Sequence, residues 1–339
     1  MTNGWSVSGH HYTPQDQRLW SIVLAGGEGI RTREFIKHHL GVTKPKQYCS
    51  FVGTRSLLQH TVDRADALSP PKNRVVVVAR EHRAEAVTQM ERRAQGTLLS
   101  QPRNCGTAPG LFLALTQVVA RDPDATVMVL PSDHYVYPES AFIEALAQAA
   151  ALADELRDRV VLLGVSPSSP ETDYGWIQPG EAPLSSRVPG ARDVAYFIEK
   201  PEARVAEAAL RGGALWNTSI VAAKVRTLWE LGWRYAPEMM APFMELWDSF
   251  ARGGESLVLE RIYREMPTLD LSRHVLQRAS KHLAVMELDG IFWSDWGSPP
   301  RILETLERLG VPAACATARV PHPARARQLD EPEMIHARG

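Results

Sequence analysis

The chain has 339 residues, 44% of them hydrophobic and 23% charged, with a formal net charge of −1. These values suit one large α/β domain or two medium ones with a full core, and they exclude the basic surface of a nucleic-acid binder or of a protein held on an anionic membrane. Cys49, Cys105 and Cys315 cannot all pair and show no zinc-ligand spacing, which points to a reducing compartment. No apolar run approaches the roughly 20 residues that cross a bilayer, and residues 1–17 lack the apolar stretch of a signal peptide. A cytoplasmic protein with neither a membrane nor a nucleic-acid partner is expected.

Leu19–Ala25 (LWSIVLA) is a short apolar run ending at Gly26 and Gly27, as a buried strand entering a glycine-rich turn does. A helical stretch over residues 56–68 leads to a second strand, Arg74–Ala79 (RVVVVA). A helix starting near Thr107 leads to a third strand at 126–130, and an Ala/Leu-rich helix over 139–156 leads to a fourth at 159–165. Strands alternating with helices of this length predict βαβ units and a largely parallel sheet covered on both faces. The rhythm then changes. Strand-like pieces at 174–178, 193–199, 216–223 and 282–294 are less evenly spaced, which predicts a mixed sheet extending the doubly wound core. The economical organisation is an N-terminal arm (1–18), one domain (19–311) and a poorly ordered Pro/Arg/Ala-rich tail (312–339).

The most informative stretch is Leu24-Ala25-Gly26-Gly27-Glu28-Gly29-Ile30-Arg31. Glycines directly after a strand let backbone N–H groups approach phosphate oxygens without side-chain obstruction, and Arg31 adds a planar cationic fork suited to a polyphosphate. Taken alone the pattern is also that of an ordinary turn. It is not a P-loop, because no Lys-Ser/Thr follows a glycine. Nor is it the dinucleotide fingerprint, because Thr32 stands where the third glycine is needed. The segment Lys44-Pro45-Lys46-Gln47-Tyr48 brings a basic loop back toward the mouth of this turn.

The combination G-G-x-G-x-R with K-P-K-Q-Y resembles the sugar-phosphate nucleotidyltransferases, and most of all the mannose-1-phosphate guanylyltransferases. The likeness continues in chain order through Asn104 with Gly106-Thr107-Ala108-Pro109, Leu130-Pro131-Ser132-Asp133, Tyr174-Gly175-Trp176-Ile177, Phe197-Ile198-Glu199-Lys200-Pro201, Trp216-Asn217 and Trp293-Ser294-Asp295-Trp296-Gly297-Ser298. The resemblance implies a Rossmann-like (GT-A-like) α/β fold with a mixed, mainly parallel sheet and helices on both faces. It also implies a reaction in which a nucleoside triphosphate and a sugar 1-phosphate yield an NDP-sugar and pyrophosphate. GTP and mannose 1-phosphate are the pair it favours, with another base or sugar, or a catalytically silent nucleotide-binding subunit, as alternatives. Some relatives carry a further isomerase or β-helix domain for which this chain is too short, so a single activity is expected. A homo-oligomer stays open.

By the same resemblance, Arg31 and Lys46 are catalytic, stabilising charge on the phosphates. Leu24, Ala25, Gly26, Gly27, Gly29, Asn104, Thr107 and Asp133 bind the nucleotide, while Gly175, Glu199, Lys200 and Asn217 bind the sugar phosphate. Asp133 and Asp295 form a pair for Mg²⁺, which takes few protein ligands and completes its octahedron with phosphate oxygens and water. The chain departs from the family at Ile30 and Thr32 in the glycine-rich loop, at Cys105, and at Ser219, where glycine is usual. His134 and the doublets His10-His11 and His38-His39 read as structural or solvated.

Overall fold

The computed structural model describes residues 18–93, 96–250 and 252–311. The expected tail, and the expected N-terminal arm apart from Arg18, lie outside them. Among the described residues eleven strands are formed: β1 (Leu19–Ala25), β2 (Arg74–Ala79), β3 (Thr97–Gln101), β4 (Thr126–Pro131), β5 (Tyr135–Tyr137), β6 (Val160–Val165), β7 (Gly175–Pro183), β8 (Arg192–Glu199), β9 (Leu215–Lys224), β10 (Leu283–Glu287) and β11 (Phe292–Ser294). The α-helices of the same residues are α1 (Arg33–Leu40), α2 (Leu57–Leu68), α3 (Arg83–Met90), α4 (Thr107–Arg121), α5 (Glu139–Glu155), α6 (Ala203–Arg211), α7 (Val225–Tyr235), α8 (Pro237–Phe250), α9 (Glu255–Glu265) and α10 (Pro299–Arg308). None is long and apolar enough to cross a membrane.

Nine strands form one sheet in the order β3-β2-β1-β4-β9-β6-β10-β8-β7. β8 and β9 run against the other seven, so the sheet is mixed, as expected. Alternation along the central strands sends successive side chains to opposite faces, and both faces are apolar. Ile22, Val75, Val77, Val127, Val129 and Leu162 pack with α4, α7, α8 and α9. Val23, Val76, Val78, Met128, Leu130 and Leu163 pack with α2, α3 and α5. This two-sided burial is why these strands read as continuous hydrophobic runs.

Local signals explain several boundaries. Ser56 caps α2 by accepting from the Gln59 N–H, while Gln59 accepts from the Ser56 N–H, a reciprocal capping box. Gly41, in the left-handed conformation at φ 66°, ends α1.

A pairing outside the large sheet matters most for the site. β5 and β11 form an antiparallel ribbon in which Ser294 faces Tyr135 and Trp293 faces Val136. β5 begins two residues after Asp133, and β11 ends one residue before Asp295. The register therefore carries two carboxylates 162 positions apart in sequence to the same end of one ribbon.

Candidate functional site

A cleft of about 420 Å³ lies along the carboxyl ends of β1 and β4, and runs on to the starts of β7 and β9. Open α/β sheets place ligands at this edge because the turns leaving the strands project there. Leu24, Gly26, Gly27, Arg31, Asn104 and Thr107 line the cleft. Gly175, Glu199, Lys200 and Asn217 line it too, as do Asp133 and Asp295. Ala25, Gly29 and Lys46 do not line it.

The glycine-rich turn is held from behind. Gln47 Nε2 donates to the carbonyls of Ala25 at 3.1 Å and Gly27 at 2.7 Å, and the Tyr48 hydroxyl donates to Ala25 O at 3.2 Å. The returning Lys44–Tyr48 loop thus meets the turn, with the side chains that follow Lys46 fixing its carbonyls. Gly29 has φ 62° and its added Cβ would lie 3.3 Å from Lys46 N, so glycine is needed for both conformation and space.

Lys46 lies beneath the cleft, its side chain 5% exposed. It donates to the carbonyl oxygens of Asp295 and of Trp296 (2.9 Å), and its ammonium is 3.2 Å from Asp133 Oδ2. An ammonium has three donors, so this lysine is committed to tying the two carboxylate-bearing segments together. Trp296, which it holds, has φ 47°, a left-handed conformation unusual for a bulky residue.

Asp295 is surrounded by donors. Its Oδ1 accepts from the Tyr174 hydroxyl at 2.7 Å, the Gly297 N–H at 2.9 Å and Arg301 Nη1 at 3.3 Å. Burial pushes this carboxyl up, but Lys46, Arg301, Tyr174 and Gly297 outweigh burial and hold it below the ordinary carboxylate range. Arg301 stacks 4.3 Å from the Tyr174 ring centroid and is anchored by Glu171 at 2.6 Å. Asp133 keeps more access to water: its side chain is 39% exposed and its Oδ1 has the His134 Nε2 3.6 Å away. His134 is buried, which lowers its pKa and leaves the ring neutral. Trp293 Nε1 donates to His134 Nδ1 at 3.2 Å, which assigns the proton to Nε2, on the side of Asp133.

This donor set fits a hard cation, with carboxylate oxygens on two segments brought to one cleft. Among the described residues no group of three or more His, Cys, Asp or Glu side chains is placed to enclose a metal. A cation here would complete its shell with water and substrate oxygens, the habit of Mg²⁺.

Gly175 pairs directly with Glu199 in the β7–β8 ladder. A Cβ on Gly175 would fall 2.6 Å from Glu199 Oε2 and 3.2 Å from Asn217 Cβ, so the bare backbone is what lets the two polar side chains converge. Asn217 donates to Ser272 Oγ at 3.4 Å and accepts from the Ser219 N–H at 3.1 Å. Lys200 and Ser219 have φ 49° and 60°. The serine therefore stands in a conformation that glycine adopts without strain, which accounts for the family's preference there. Burial pushes the Glu199 carboxyl up to about 7, with Asp270 adding to the rise. Asn104 Nδ2 donates to Glu28 Oε1 at 3.0 Å, and Thr107 accepts from the Leu271 N–H at 2.8 Å.

Sequence reasoning does not single out Arg301, Asp173, Glu171 or Asp270, and it includes Tyr174 and Gln47 only as members of motifs, without a role. Arg301 sits in the first turn of α10, where an arginine carries no local signal. Asp173 adjoins the recognised Tyr174-Gly175 turn and could have been found as its neighbour.

The chain is 29% identical over 293 residues to the xanthan biosynthesis protein XanB of Xanthomonas campestris, covering 85% of this chain and 60% of that protein. It is 29% identical over 287 residues to a mannose-1-phosphate guanylyltransferase of Klebsiella pneumoniae, covering 83% and 58%. The solved structure of mannose-1-phosphate geranyltransferase from Thermus thermophilus superposes with a TM-score of 0.70 at 27% identity, covering 87% of this chain and 80% of that one. The chain thus spans about 60% of the length of these curated relatives. The nucleotidyl transferase family matches residues 20–310, from β1 through α10, and the chain belongs to that family.

Proposed function

We propose that this cleft joins a nucleoside triphosphate to a sugar 1-phosphate and releases pyrophosphate, with GTP and mannose 1-phosphate as the pair. The observation that carries the reading is the meeting of Asp133 and Asp295 between a glycine-rich turn bearing Arg31 and a pocket of Gly175, Glu199, Lys200 and Asn217. A polyphosphate suits the glycine-rich turn with Arg31, and a hydroxylated, phosphorylated ring suits the group of Gly175, Glu199, Lys200 and Asn217. The names of the relatives support the substrate pair.

In this reading a phosphate oxygen of the sugar 1-phosphate attacks the α-phosphorus in line, and pyrophosphate leaves. The nucleophile is already anionic, so no general base is needed and catalysis consists of positioning and charge stabilisation. Arg31 and the amides of the Gly26-Gly27 turn hold the departing phosphates. Lys200 receives the sugar phosphate, and Glu199 and Asn217 hydrogen-bond sugar hydroxyls. Asp133 and Asp295 would hold Mg²⁺, which when bound neutralises phosphate charge as a Lewis acid. Lys46 acts from below, keeping the Asp133 and Asp295 segments together. A cytoplasmic location follows from the same reading, since both substrates are charged metabolites.

The test is pyrophosphate release, with kcat/KM measured for GTP, ATP, UTP, CTP and dTTP against mannose 1-phosphate and glucose 1-phosphate with Mg²⁺. GTP with mannose 1-phosphate should be the best pair. A best pair containing UTP or dTTP would overturn the guanylyl assignment, and no release with any pair would overturn the reaction.

A further inference from the structure

Arg31 is bridged across the cleft by a carboxylate from the other half of the molecule. Its Nη1 donates to Asp173 Oδ2 at 3.1 Å, although the two residues are 142 positions apart. Asp173 stands in the bend that leads into β7, and both residues line the cleft. Their side chains are 57% and 50% exposed, so this is a weak, solvated pair that a stronger anion can break. The same Oδ2 lies 3.8 Å from Nη2 of Arg301. Arg301 is only 14% exposed, is fixed by Glu171 and does not line the cleft. A carboxylate leaving Arg31 therefore has a second, immobile cation beside it and is not stranded.

We propose that Asp173 sets the affinity of the nucleotide site, as an internal anion that holds Arg31 and must be displaced by the incoming phosphates. The inference rests on the reading of Arg31 as a polyphosphate ligand. A carboxylate and a phosphate compete for one guanidinium because both match its planar fork. Binding of the polyphosphate is weakened by whatever the bridge contributes, and an unmoved Asp173 would also repel the newcomer. The displaced carboxylate passes to Arg301, which keeps the cost of the exchange low. Asp173 thus differs in sign from Asp133, Glu199 and Asn217. Their loss should weaken ligand binding, whereas loss of the Asp173 charge should strengthen it. A carboxylate acting as a metal or hydroxyl ligand would do the reverse.

The experiment is titration calorimetry with Mg²⁺ at fixed ionic strength, using GTP, UTP and inorganic pyrophosphate as probes. The proteins are wild type, Asp173→Asn, Arg31→Ala and the double variant. Asparagine keeps the size and turn-forming hydrogen bonds of aspartate and removes its charge. Asp173→Asn should bind the probes about two- to fivefold more tightly than wild type, the range that an exposed pair allows. The gain should vanish in the Arg31→Ala background. Unchanged or weaker binding by Asp173→Asn, with normal binding by wild type, overturns the competition and leaves the functional reading intact. A gain that persists in Arg31→Ala also overturns it, since general repulsion would then suffice. Absence of binding of all three probes to wild type overturns both the competition and the reading beneath it.

Discussion

Glu199 provides a test in which charge, burial and stability are linked with a definite sign. Burial pushes its carboxyl from the ordinary 4.5 up to about 7, Asp270 adds to the rise, and Lys200 and Arg273 offset part of it. Because the folded value lies above the unfolded one, the native protein holds an extra proton between them. The contribution to stability is complete below pH 4.5 and is lost as pH rises through 7. A rise from 4.5 to about 7, at about 1.36 kcal/mol per unit, sets a ceiling of roughly 3 kcal/mol. Glu199 lines an open cleft, so about half of that is the expected loss after solvent screening. Glu199→Gln keeps the shape and carries no charge at any pH. Urea unfolding followed by tryptophan fluorescence should find the two proteins similar near about pH 5, with the variant about 1–2 kcal/mol more stable near about pH 8.5. Parallel stability profiles for the two proteins would refute the reasoning, because the fall with pH would then come from other groups. The same protonation leaves Glu199 able either to donate to or to accept from a hydroxyl at neutral pH.

Other outcomes follow from the geometry. Asp133→Ala and Asp295→Ala should each lower turnover by on the order of 10²–10³ or more in a pyrophosphate-release assay, and retained activity in either would remove it from the proposed pair. Lys46→Met should destabilise the fold by about 2–4 kcal/mol, because it leaves the Asp295 and Trp296 carbonyls without their donor. A melting temperature equal to wild type, with single-turnover rates sharply reduced, would instead favour direct contact of Lys46 with phosphate. Gly175→Ala sets a methyl 2.6 Å from Glu199 Oε2 and 3.1 Å from the Phe197 ring. Forcing the two apart should cost about 1–3 kcal/mol, seen as about a tenfold rise in KM for the sugar phosphate with little change for the nucleotide.

Much of the frame can be read from the chain alone, since the forces that set it act over a few residues. The apolar runs of β1 and β2 end where their strands end, and Ser56 and Gln59 announce the start of α2. Gly26 and Gly29 mark a turn where a Cβ would crowd Gln101 or Lys46. The irregular spacing after β6 signals a mixed sheet. β3 and β5 escape such reading: β3 is half-buried without clean alternation, and β5 has only three residues. What the tertiary structure alone decides is which distant groups meet. Asp133 and Asp295 come together through the register of β5 with β11, two strands too short to declare themselves. Lys46 is basic and looks destined for phosphate, yet folding turns it inward because backbone carbonyls of Asp295 and Trp296 converge there. Arg301 and Asp173 gain their partners only when α10 and the bend before β7 pack against the same ribbon. Periodicity and propensity report neighbours along the chain, whereas a charge finds its counter-ion through the packing of the whole.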